Sequence, residues 1–229
     1  MTLPEGLVSC EDGLVRPTWA ATDLLLRDYY DTEWGSPVTS EQGVFERLVL
    51  ERFQSALSWS TILKKREAFR TAFASFIPEA VAAFTGKDRE RLMQDAGIVR
   101  NKRKIDAAIT NARAVIALRG AIAAEADAHR AGRMGEAPLE HLLRPRQSYP
   151  RHLGELAWLY QPNHQPRPKC AQEVPAQTEE SRALSLELKR RGLVFVGPVT
   201  ALALMSAIGI TNTDIIGTWK RPLAESLAE

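Results

Sequence analysis

Hydrophobic residues recur along this chain at the three- and four-residue spacing of α-helices through most of its length. Thr39, with Gln42 three residues later, matches a capping box, and the helix that it opens carries Val44 and Leu48 toward a core. Alternating hydrophobic and polar residues, which would indicate strands, do not form a convincing series. The pattern therefore predicts an all-α protein.

Further helices are predicted from the same spacing and from their end signals. They cover about 61–76, 81–84, 85–96, 101–119, 181–191 and 198–208. Thr85 and Asp88 open one of them, and we expect Gly97 to close it in the left-handed conformation. Glycines and prolines interrupt positions 120–178, so this stretch is predicted to be an irregular connection within a single domain of residues 1–229.

The composition is that of an ordinary globular protein, since 45% of the 229 residues are hydrophobic and 25% are charged. The formal net charge of +2 excludes a general polycation, so a nucleic-acid-binding surface requires basic residues concentrated on one face. Cys10 and Cys170 stand far apart in polar surroundings, which is typical of free thiols in a cytosolic protein. The sequence shows no signal peptide and no run near the roughly 20 apolar residues that span a bilayer. We expect a soluble, cytoplasmic protein with no membrane partner, and a monomer.

Aromatic residues are concentrated around a single acid. Seven of the 16 aromatic residues lie between positions 19 and 59, namely Trp19, Tyr29, Tyr30, Trp34, Phe45, Phe53 and Trp59. Glu51 lies among them, three residues after Leu48 and at the margin of the apolar face of its helix. Rings that stack on a flat, electron-poor ligand, together with an acid that accepts its amine hydrogens, suit an alkylated purine base. The alternative is an acid that points to water or pairs with an arginine.

A second candidate element is the basic segment 95–105. It combines the predicted helix end at Gly97 with cations that include Arg100, Lys102 and Lys104 at the start of the next helix. A helix-hairpin-helix element of this kind presents backbone N–H donors and positive charge to DNA phosphates. The alternative is a solvated basic turn between two core helices.

Gln54 and Leu57 lie near one end of the helix that carries Glu51. A polar and an apolar side chain at this position could fill the gap that is left in a duplex when one nucleotide swings out. For Leu57, the spacing also allows the alternative of ordinary packing in the core.

These segments together resemble the bacterial 3-methyladenine DNA glycosylase I family. Residues 29–35, 51–59, 61–66, 95–104 and 188–197 carry the resemblance, in this order along the chain. It runs from about Trp19 to Gly217 and is poorest over 120–160. It implies a two-lobed, all-α helix-hairpin-helix glycosylase whose active-site pocket lies between the lobes, acting on double-stranded DNA that contains alkylated bases.

The resemblance also implies the site residues by position. Glu51 matches the base-recognition acid and is the candidate catalytic residue, and Trp59 matches the ring that stacks on the base. The other pocket aromatics are Tyr29, Trp34 and Trp19. Members lack the catalytic aspartate of the wider superfamily, because an N3-alkylated adenine is already cationic and leaves readily.

A monofunctional enzyme that hydrolyses the N-glycosidic bond of 3-methyladenine and leaves an abasic site is therefore implied. Two alternatives stay open. One is a non-catalytic protein that binds DNA damage without turnover, which the retained Glu51, Trp59 and Tyr29 argue against. The other is a glycosylase of the same fold with a shifted preference among alkylated bases.

The chain departs from the family at its structural zinc site. Members hold the zinc with two Cys and two His that tie the N-terminal tail to the C-terminus, whereas Pro17, Tyr30, Asp214 and Thr218 occupy those positions here. Three of these residues are not usual zinc ligands, and one aspartate cannot build a tetrahedral site. We therefore expect no metal and no other cofactor, with the termini held by packing that involves Tyr30 and Trp219.

Two further departures concern the pocket. Arg52 follows the recognition acid where relatives usually have a small residue, and it could turn toward the DNA, pair with an acid or narrow the pocket. Ser206 replaces an expected glutamine. Either change could alter which damaged base fits.

Overall fold

Helices make up most of the computed structural model, which describes residues 3–145 and 147–221. The α-helices are α1 (Leu24–Thr32), α2 (Glu41–Gln54), α3 (Trp59–Ala72), α4 (Pro78–Ala82), α5 (Gly86–Gln94), α6 (Lys102–Arg130), α7 (Leu153–Trp158), α8 (Glu179–Arg190) and α9 (Pro198–Ala207). Short 3₁₀ segments cover Thr18–Ala21, Ala74–Phe76, Met134–Glu136, Glu140–Leu142 and Ala171–Glu173. The prediction of an all-α fold is confirmed.

Side-chain caps fix where two of the helices begin. Ser40, and not Thr39, caps α2, since the Ser40 hydroxyl accepts a hydrogen bond from the Gly43 N–H. The predicted capping box of α5 is confirmed, because Asp88 accepts hydrogen bonds from both the backbone N–H and the hydroxyl of Thr85.

Backbone conformation explains two further differences from the prediction. α3 ends four residues before the predicted end because a turn with positive φ follows it, at Ala74 (49°), Ser75 (54°) and Phe76 (57°). The left-handed closure expected at Gly97 is wrong, since its φ is not positive. Gly97 instead allows a close approach, because a Cβ there would lie 2.9 Å from the Cβ of Ala68 on α3.

A small hairpin near the N-terminus was not predicted. Strand β1 (Leu7–Ser9) pairs antiparallel with β2 (Val15–Pro17). Each strand has three residues, too few for alternation to be recognised in the sequence. The hairpin leaves the fold class unchanged.

α6 is the longest helix among the described residues and continues to Arg130, past the Gly120 at which an irregular connection was predicted to begin. Gly120 is exposed, and its position leaves open space where a side chain would be. Within the predicted connection, the chain also forms the short helix α7. The irregular region is therefore shorter than predicted, because the helix tolerates a solvent-facing glycine.

α6 is also the one described helix that is long and apolar enough, by length and composition, to cross a membrane. Half of that apolar window is buried inside the protein, and α6 packs against α4, α5 and α2. These contacts are typical of the central helix of a globular core.

The core consists of a large apolar cluster and a small one. The large cluster contains buried residues from α2, α3, α6, α8 and α9. The small cluster is formed by Leu26, Tyr29 and Leu63, which come from α1 and α3. Trp59 packs against both clusters, so it marks their boundary. The predicted pocket residues converge at this boundary.

Lys104 stabilises the end of α2 from inside the protein. It is buried, and its ammonium donates hydrogen bonds to the carbonyls of Phe53 (2.9 Å) and Ser55 (2.7 Å). Carbonyls at a helix C-terminus lack helical partners, and a cation there satisfies them. The prediction that Lys104 is an exposed DNA-binding cation is therefore wrong, because the helical period turns this position toward the core.

Polar contacts join the N-terminal segment and α1 to the C-terminal segment. The Tyr30 hydroxyl donates a hydrogen bond of 2.9 Å to the Asp214 carboxylate. The carboxylate of Asp31 pairs with the buried Arg16 guanidinium at 2.7 Å and accepts a hydrogen bond of 3.1 Å from the Trp219 indole. Tyr30 and Trp219 thus take part in the link as expected, but through hydrogen bonds as well as packing.

The residues at the family's zinc positions do not fit the metal. Pro17 has no side-chain donor atom, and Thr218 lies beside the Tyr30 hydroxyl that is bound to Asp214. Burial raises the pKa of Tyr30, so its hydroxyl stays protonated and acts as a donor. Within residues 3–145 and 147–221, no group of three or more His, Cys, Asp or Glu side chains could hold a metal ion.

We predict that the stability of this link does not depend on a metal. A strong zinc chelator should leave the melting temperature unchanged, because no metal-binding energy is coupled to folding. Tyr30→Phe should lower the free energy of unfolding by about 1–3 kcal/mol, since it removes one hydrogen bond to the buried Asp214 carboxylate. Thermal and urea unfolding measure both effects.

Tyr160→Phe is the matched control for this prediction. Tyr160 is buried, and its hydroxyl makes no hydrogen bond to another described residue, so the change should cost little. Close to one zinc per chain by elemental analysis, with a melting temperature lowered by chelator, would contradict the prediction.

Candidate active site

Four aromatic rings form a connected group at the boundary of the two core clusters. The ring centroids of Trp59 and Tyr29 are 5.4 Å apart, those of Tyr29 and Trp34 are 6.1 Å apart, and those of Trp34 and Trp19 are 5.6 Å apart. Tilted and edge-to-face contacts of this kind stabilise aromatic pairs. The structure therefore brings together the four aromatic residues that the sequence assigned to one pocket.

Asp23 fixes the two helices that carry Tyr29 and Trp59. One oxygen of Asp23 caps α1 by accepting a hydrogen bond of 2.8 Å from the Leu26 N–H. Its other oxygen accepts a hydrogen bond of 3.0 Å from the Ser60 hydroxyl in the first turn of α3. Sequence reasoning missed this residue, although an aspartate directly before an apolar helical run is a recognisable N-cap signal.

Glu51 lies on α2, close enough to Tyr29 for its charge to act on the Tyr29 hydroxyl, and is only 8% exposed. It makes no hydrogen bond or ion pair with another described residue. Burial raises the pKa of Glu51 to about 7, although the charge of Arg47 opposes the shift. Burial and the charge of Glu51 both raise the pKa of Tyr29, so its hydroxyl stays protonated. The acid is more deeply buried than its position at the margin of the helix face predicted.

Glu33 engages the arginine that could otherwise neutralise Glu51. Arg47 lies one helical turn before Glu51 on α2, and its guanidinium donates a hydrogen bond of 2.8 Å to Glu33. Arg66 on α3 donates two hydrogen bonds of 2.8 Å to the same carboxylate. The alternative in which Glu51 pairs directly with an arginine is therefore wrong.

Two polar groups beside Glu51 are buried without partners. The Tyr29 hydroxyl and the Trp59 indole N–H make no hydrogen bond within the described part of the chain. Buried polar atoms in folded proteins are nearly always hydrogen-bonded, so each exception requires an explanation. A bound ligand that offers hydrogen-bond donors and acceptors would satisfy these two groups and Glu51 together.

The turn that follows α2 presents Leu57 to the surface. The Leu57 N–H donates to the Gln54 carbonyl at 2.6 Å, and the Gln54 side-chain amide donates to the Leu57 carbonyl at 2.9 Å. Between them, Ala56 has a φ of +68°, a conformation that costs energy for a residue with a side chain. Leu57 is 37% exposed. Ordinary core packing, the alternative for Leu57, is therefore wrong.

The basic segment forms an ordered hairpin between α5 and α6. Arg100 and Lys102 are exposed on it. Lys65 on α3 fixes the hairpin, because its ammonium donates hydrogen bonds to the carbonyls of Ala96 (2.9 Å) and Gly97 (3.2 Å). The predicted DNA-binding residues thus separate into two exposed cations, Arg100 and Lys102, and a glycine at the tight turn.

Comparison with known proteins agrees with this geometry. A family model described as methyladenine glycosylase matches residues 19–141 and 142–221. The chain is 38% identical over 202 residues to DNA-3-methyladenine glycosylase 1 of Escherichia coli (strain K12), covering 87% of this chain and 92% of that protein. The chain belongs to the methyladenine glycosylase family. The resemblance drawn from the sequence motifs is confirmed.

Solved structures of 3-methyladenine DNA glycosylases are also similar to this chain in fold. A crystal structure of a 3-methyladenine DNA glycosylase I has a TM-score of 0.70 and 33% identity, covering 88% of this chain and 97% of that one. A structure of the Staphylococcus aureus enzyme, described for its recognition of 3-methyladenine, has a TM-score of 0.70 and 26% identity, covering 89% of this chain and 95% of that one.

In this methyladenine glycosylase family member, a second hairpin, residues 191–197, connects α8 to α9. Gly192 takes a φ of +87°, Gly197 caps α9 and Pro198 is its first residue. Phe195 and Val199 are 49% and 61% exposed. The glycine, glycine and proline at these spacings were a signal for this hairpin in the sequence, but only the basic segment was interpreted as one.

The two departures near the pocket have different surroundings. The Arg52 guanidinium lies 4.4 Å from the ring centroid of Phe195, and no acid of the described residues pairs with it. The Ser206 hydroxyl lies 3.2 Å from that of Thr213, and Ser206 lines a small cavity together with Trp34. Ser206 thus lies behind the aromatic group, on the side of the C-terminal segment.

We predict that Glu51 makes the stability of the protein depend on pH. The pKa of Glu51 is about 7 in the folded state and near its ordinary value of 4.5 in the unfolded chain, so the folded state binds the proton more tightly. The stability that protonation contributes is fully present below the unfolded pKa and is lost as the pH rises through 7. Two and a half pKa units correspond to about 3 kcal/mol.

Glu51→Gln should remove this dependence, because the amide does not ionise. Urea unfolding at about pH 5 and about pH 8 should therefore show a variant that gains stability relative to the wild type as the pH rises. Parallel pH profiles for the two proteins would mean that the carboxylate is solvated.

Proposed function

We propose that this protein is a monofunctional DNA glycosylase that hydrolyses the N-glycosidic bond of 3-methyladenine in double-stranded DNA and leaves an abasic site. The observation that supports this most is the Glu51 carboxylate, which is buried near Tyr29 and has no hydrogen-bond partner among the described residues. The names of the relatives agree, since they are 3-methyladenine DNA glycosylases.

A cationic alkylated adenine would satisfy the pocket. Its exocyclic amine can donate a hydrogen bond to Glu51, and its flat ring can stack on Trp59 and Tyr29. The positive charge of the base would lower the pKa of Glu51 from about 7 toward its ordinary value, which favours the ionised carboxylate. Such a pocket selects a cationic base over an undamaged neutral one.

The reaction requires little chemistry from the protein. When the glycosidic bond breaks, its electron pair moves to the base and cancels the positive charge of the ring. The sugar carbon becomes electron-poor, a water molecule adds to it, and the proton released by that water passes to solvent. An ionised Glu51 in a water-poor pocket would stabilise the positive charge that develops on the sugar.

Lys104 supports the monofunctional assignment. An enzyme that also cleaves the strand uses an amine as the nucleophile that attacks the sugar. Lys104 lies at the C-terminal end of the helix that carries Glu51, where its ammonium donates hydrogen bonds to the Phe53 and Ser55 carbonyls. This lysine is therefore not a free amine, and water is the nucleophile that we propose.

The exposed elements around the pocket supply the contacts to DNA in this proposal. Leu57 and Gln54 would fill the gap left by the extruded nucleotide. Arg100 and Lys102 would bind backbone phosphates beside it. The curated relatives are bacterial, and we propose that the protein acts as a monomer in the cytoplasm, on the nucleoid.

Release of bases from alkylated DNA tests the function. Incubation with DNA treated with a methylating agent should release 3-methyladenine, identified by mass spectrometry, and borohydride should trap no covalent complex. Glu51→Ala should weaken binding of free 3-methyladenine by about 1.5–3 kcal/mol in calorimetry, because a charge-assisted hydrogen bond is lost. Binding of methylated duplex without release of any base would favour the non-catalytic alternative, and release of other alkylated bases would favour a shifted preference.

Charge reversal at Lys102 tests the basic hairpin. Lys102→Glu should weaken binding to damaged and undamaged duplex by equal factors, and it should flatten the salt dependence of binding, because a phosphate contact carries no sequence information. Fluorescence anisotropy over a series of salt concentrations measures both. A loss confined to damaged DNA would mean that Lys102 contacts the damaged base.

A further inference from the structure

Arg52 directly follows the recognition acid on α2, but its side chain reaches the second hairpin. Its guanidinium carbon lies 4.4 Å from the ring centroid of Phe195. A guanidinium at this distance is attracted by the ring face, and stacking keeps the planar group in one orientation. Arg52 thereby connects the helix of Glu51 to the hairpin between α8 and α9.

The charge of Arg52 is not neutralised within the protein. No carboxylate among the described residues pairs with it, and its Nε is buried without a hydrogen-bond partner. Its charge acts on another cation, since burial and the charge of Arg52 both lower the pKa of Lys104. The ammonium of Lys104 is already bound to two carbonyls, so Arg52 is the cation of this pair that remains available.

Phe195, which provides the ring in this contact, has an unusual exposure and backbone conformation. It is 49% exposed and has a φ of +58°, although residues with side chains rarely adopt positive φ. With Arg103 it lines a shallow surface depression, so the Arg52–Phe195 contact is continuous with the basic segment at the start of α6. Asp106, the acid in this depression, is bound by Arg89.

We propose that Arg52 forms a phosphate-binding subsite, in which its guanidinium, held on the Phe195 ring, binds the DNA backbone phosphate beside the nucleotide extruded toward Glu51. A guanidinium that stacks through its face keeps the N–H groups at its edge available, and their fork matches two phosphate oxygens. This inference rests on the proposed function, because it assigns one more contact to the same DNA-binding surface.

The subsite would act as a positioning element. Because consecutive residues carry the acid and the arginine, a phosphate bound by Arg52 would fix the distance between the backbone and the pocket. The basic hairpin, in contrast, would bind any duplex. Arg52 should therefore contribute more to binding of DNA with an extruded nucleotide than to binding of undamaged DNA.

Duplexes with and without a tetrahydrofuran abasic analogue, otherwise identical in sequence, test the proposal. In fluorescence anisotropy, Arg52→Gln should weaken binding of the abasic duplex about 10-fold and of the undamaged duplex less than about 3-fold. The slope of log affinity against log salt should decrease by about 1 for the abasic duplex, as expected for one lost phosphate contact. Affinity for free 3-methyladenine should stay within about twofold.

Three further variants separate charge, stacking and stability. Arg52→Lys should keep the salt slope but bind the abasic duplex less tightly than wild type, because an ammonium does not stack flat on the ring. Phe195→Leu should weaken the abasic complex in wild type and not in the Arg52→Gln background. Arg130→Gln is the matched control, since Arg130 is exposed and lies roughly 40 Å along α6 from Lys102.

Each other outcome contradicts the proposal. If Arg52→Gln leaves both the affinity and the salt slope unchanged, Arg52 only packs α2 against the hairpin. A lowered melting temperature with an unchanged salt slope would mean the same. Equal losses on both duplexes would place Arg52 with the general backbone contacts. If Arg52→Gln does not fold, the binding of the abasic duplex by Arg52→Lys and Phe195→Leu tests the proposal instead. Wild-type protein that binds neither duplex would overturn the proposed function itself.

Discussion

The buried carboxylate of Glu51, which has no hydrogen-bond partner among the described residues, is the constraint on which the rest of the site depends. Burying an unpaired charge costs several kcal/mol, so the free protein holds Glu51 with a pKa of about 7, near the border between its two protonation states. The surrounding structure maintains this state. Glu33 binds Arg47, whose charge acts on Glu51, and Asp23 connects α1 to α3, which carry Tyr29 and Trp59. In the proposed function, a cationic base would supply the missing charge and the missing hydrogen bonds together.

The link between the termini bears on the same pocket. Lys220 donates hydrogen bonds to the carbonyls of Tyr30 and Trp34, and the Tyr30 hydroxyl is bound to Asp214. Trp34 contacts the ring of Tyr29. The polar cluster of Lys220, Tyr30 and Asp214 therefore also supports the Trp34 side of the aromatic group. A network of buried hydrogen bonds holds its groups in a defined geometry, as a metal site does. The hydrogen-bonded link between the termini therefore lies behind the aromatic group, on the side of Trp34.

The helical period was sufficient for the fold class, and the resemblance to the family selected the four aromatic residues from the seven between positions 19 and 59. Sequence patterns failed where a tertiary contact decides. Lys104 has the sequence context of an exposed cation, yet the period of α6 turns it into the protein, where the end of α2 requires a donor. Gly97 has the context of a helix end, but its small size serves the approach of Ala68. Leu57 has the spacing of a core residue, and only the tight turn with positive φ at Ala56 brings it to the surface.

The distribution of ion pairs explains how a protein with a net charge of +2 can bind a polyanion. Away from the hairpins, several arginines are paired with acids, among them Arg47, Arg66, Arg70 and Arg119. Near the hairpins, Arg52, Arg100, Lys102 and Arg103 have no ion pair with a described residue. Unpaired positive charge is thus present at both hairpins. Because surface potential depends on unpaired charge, this arrangement agrees with the DNA-binding surface that we propose.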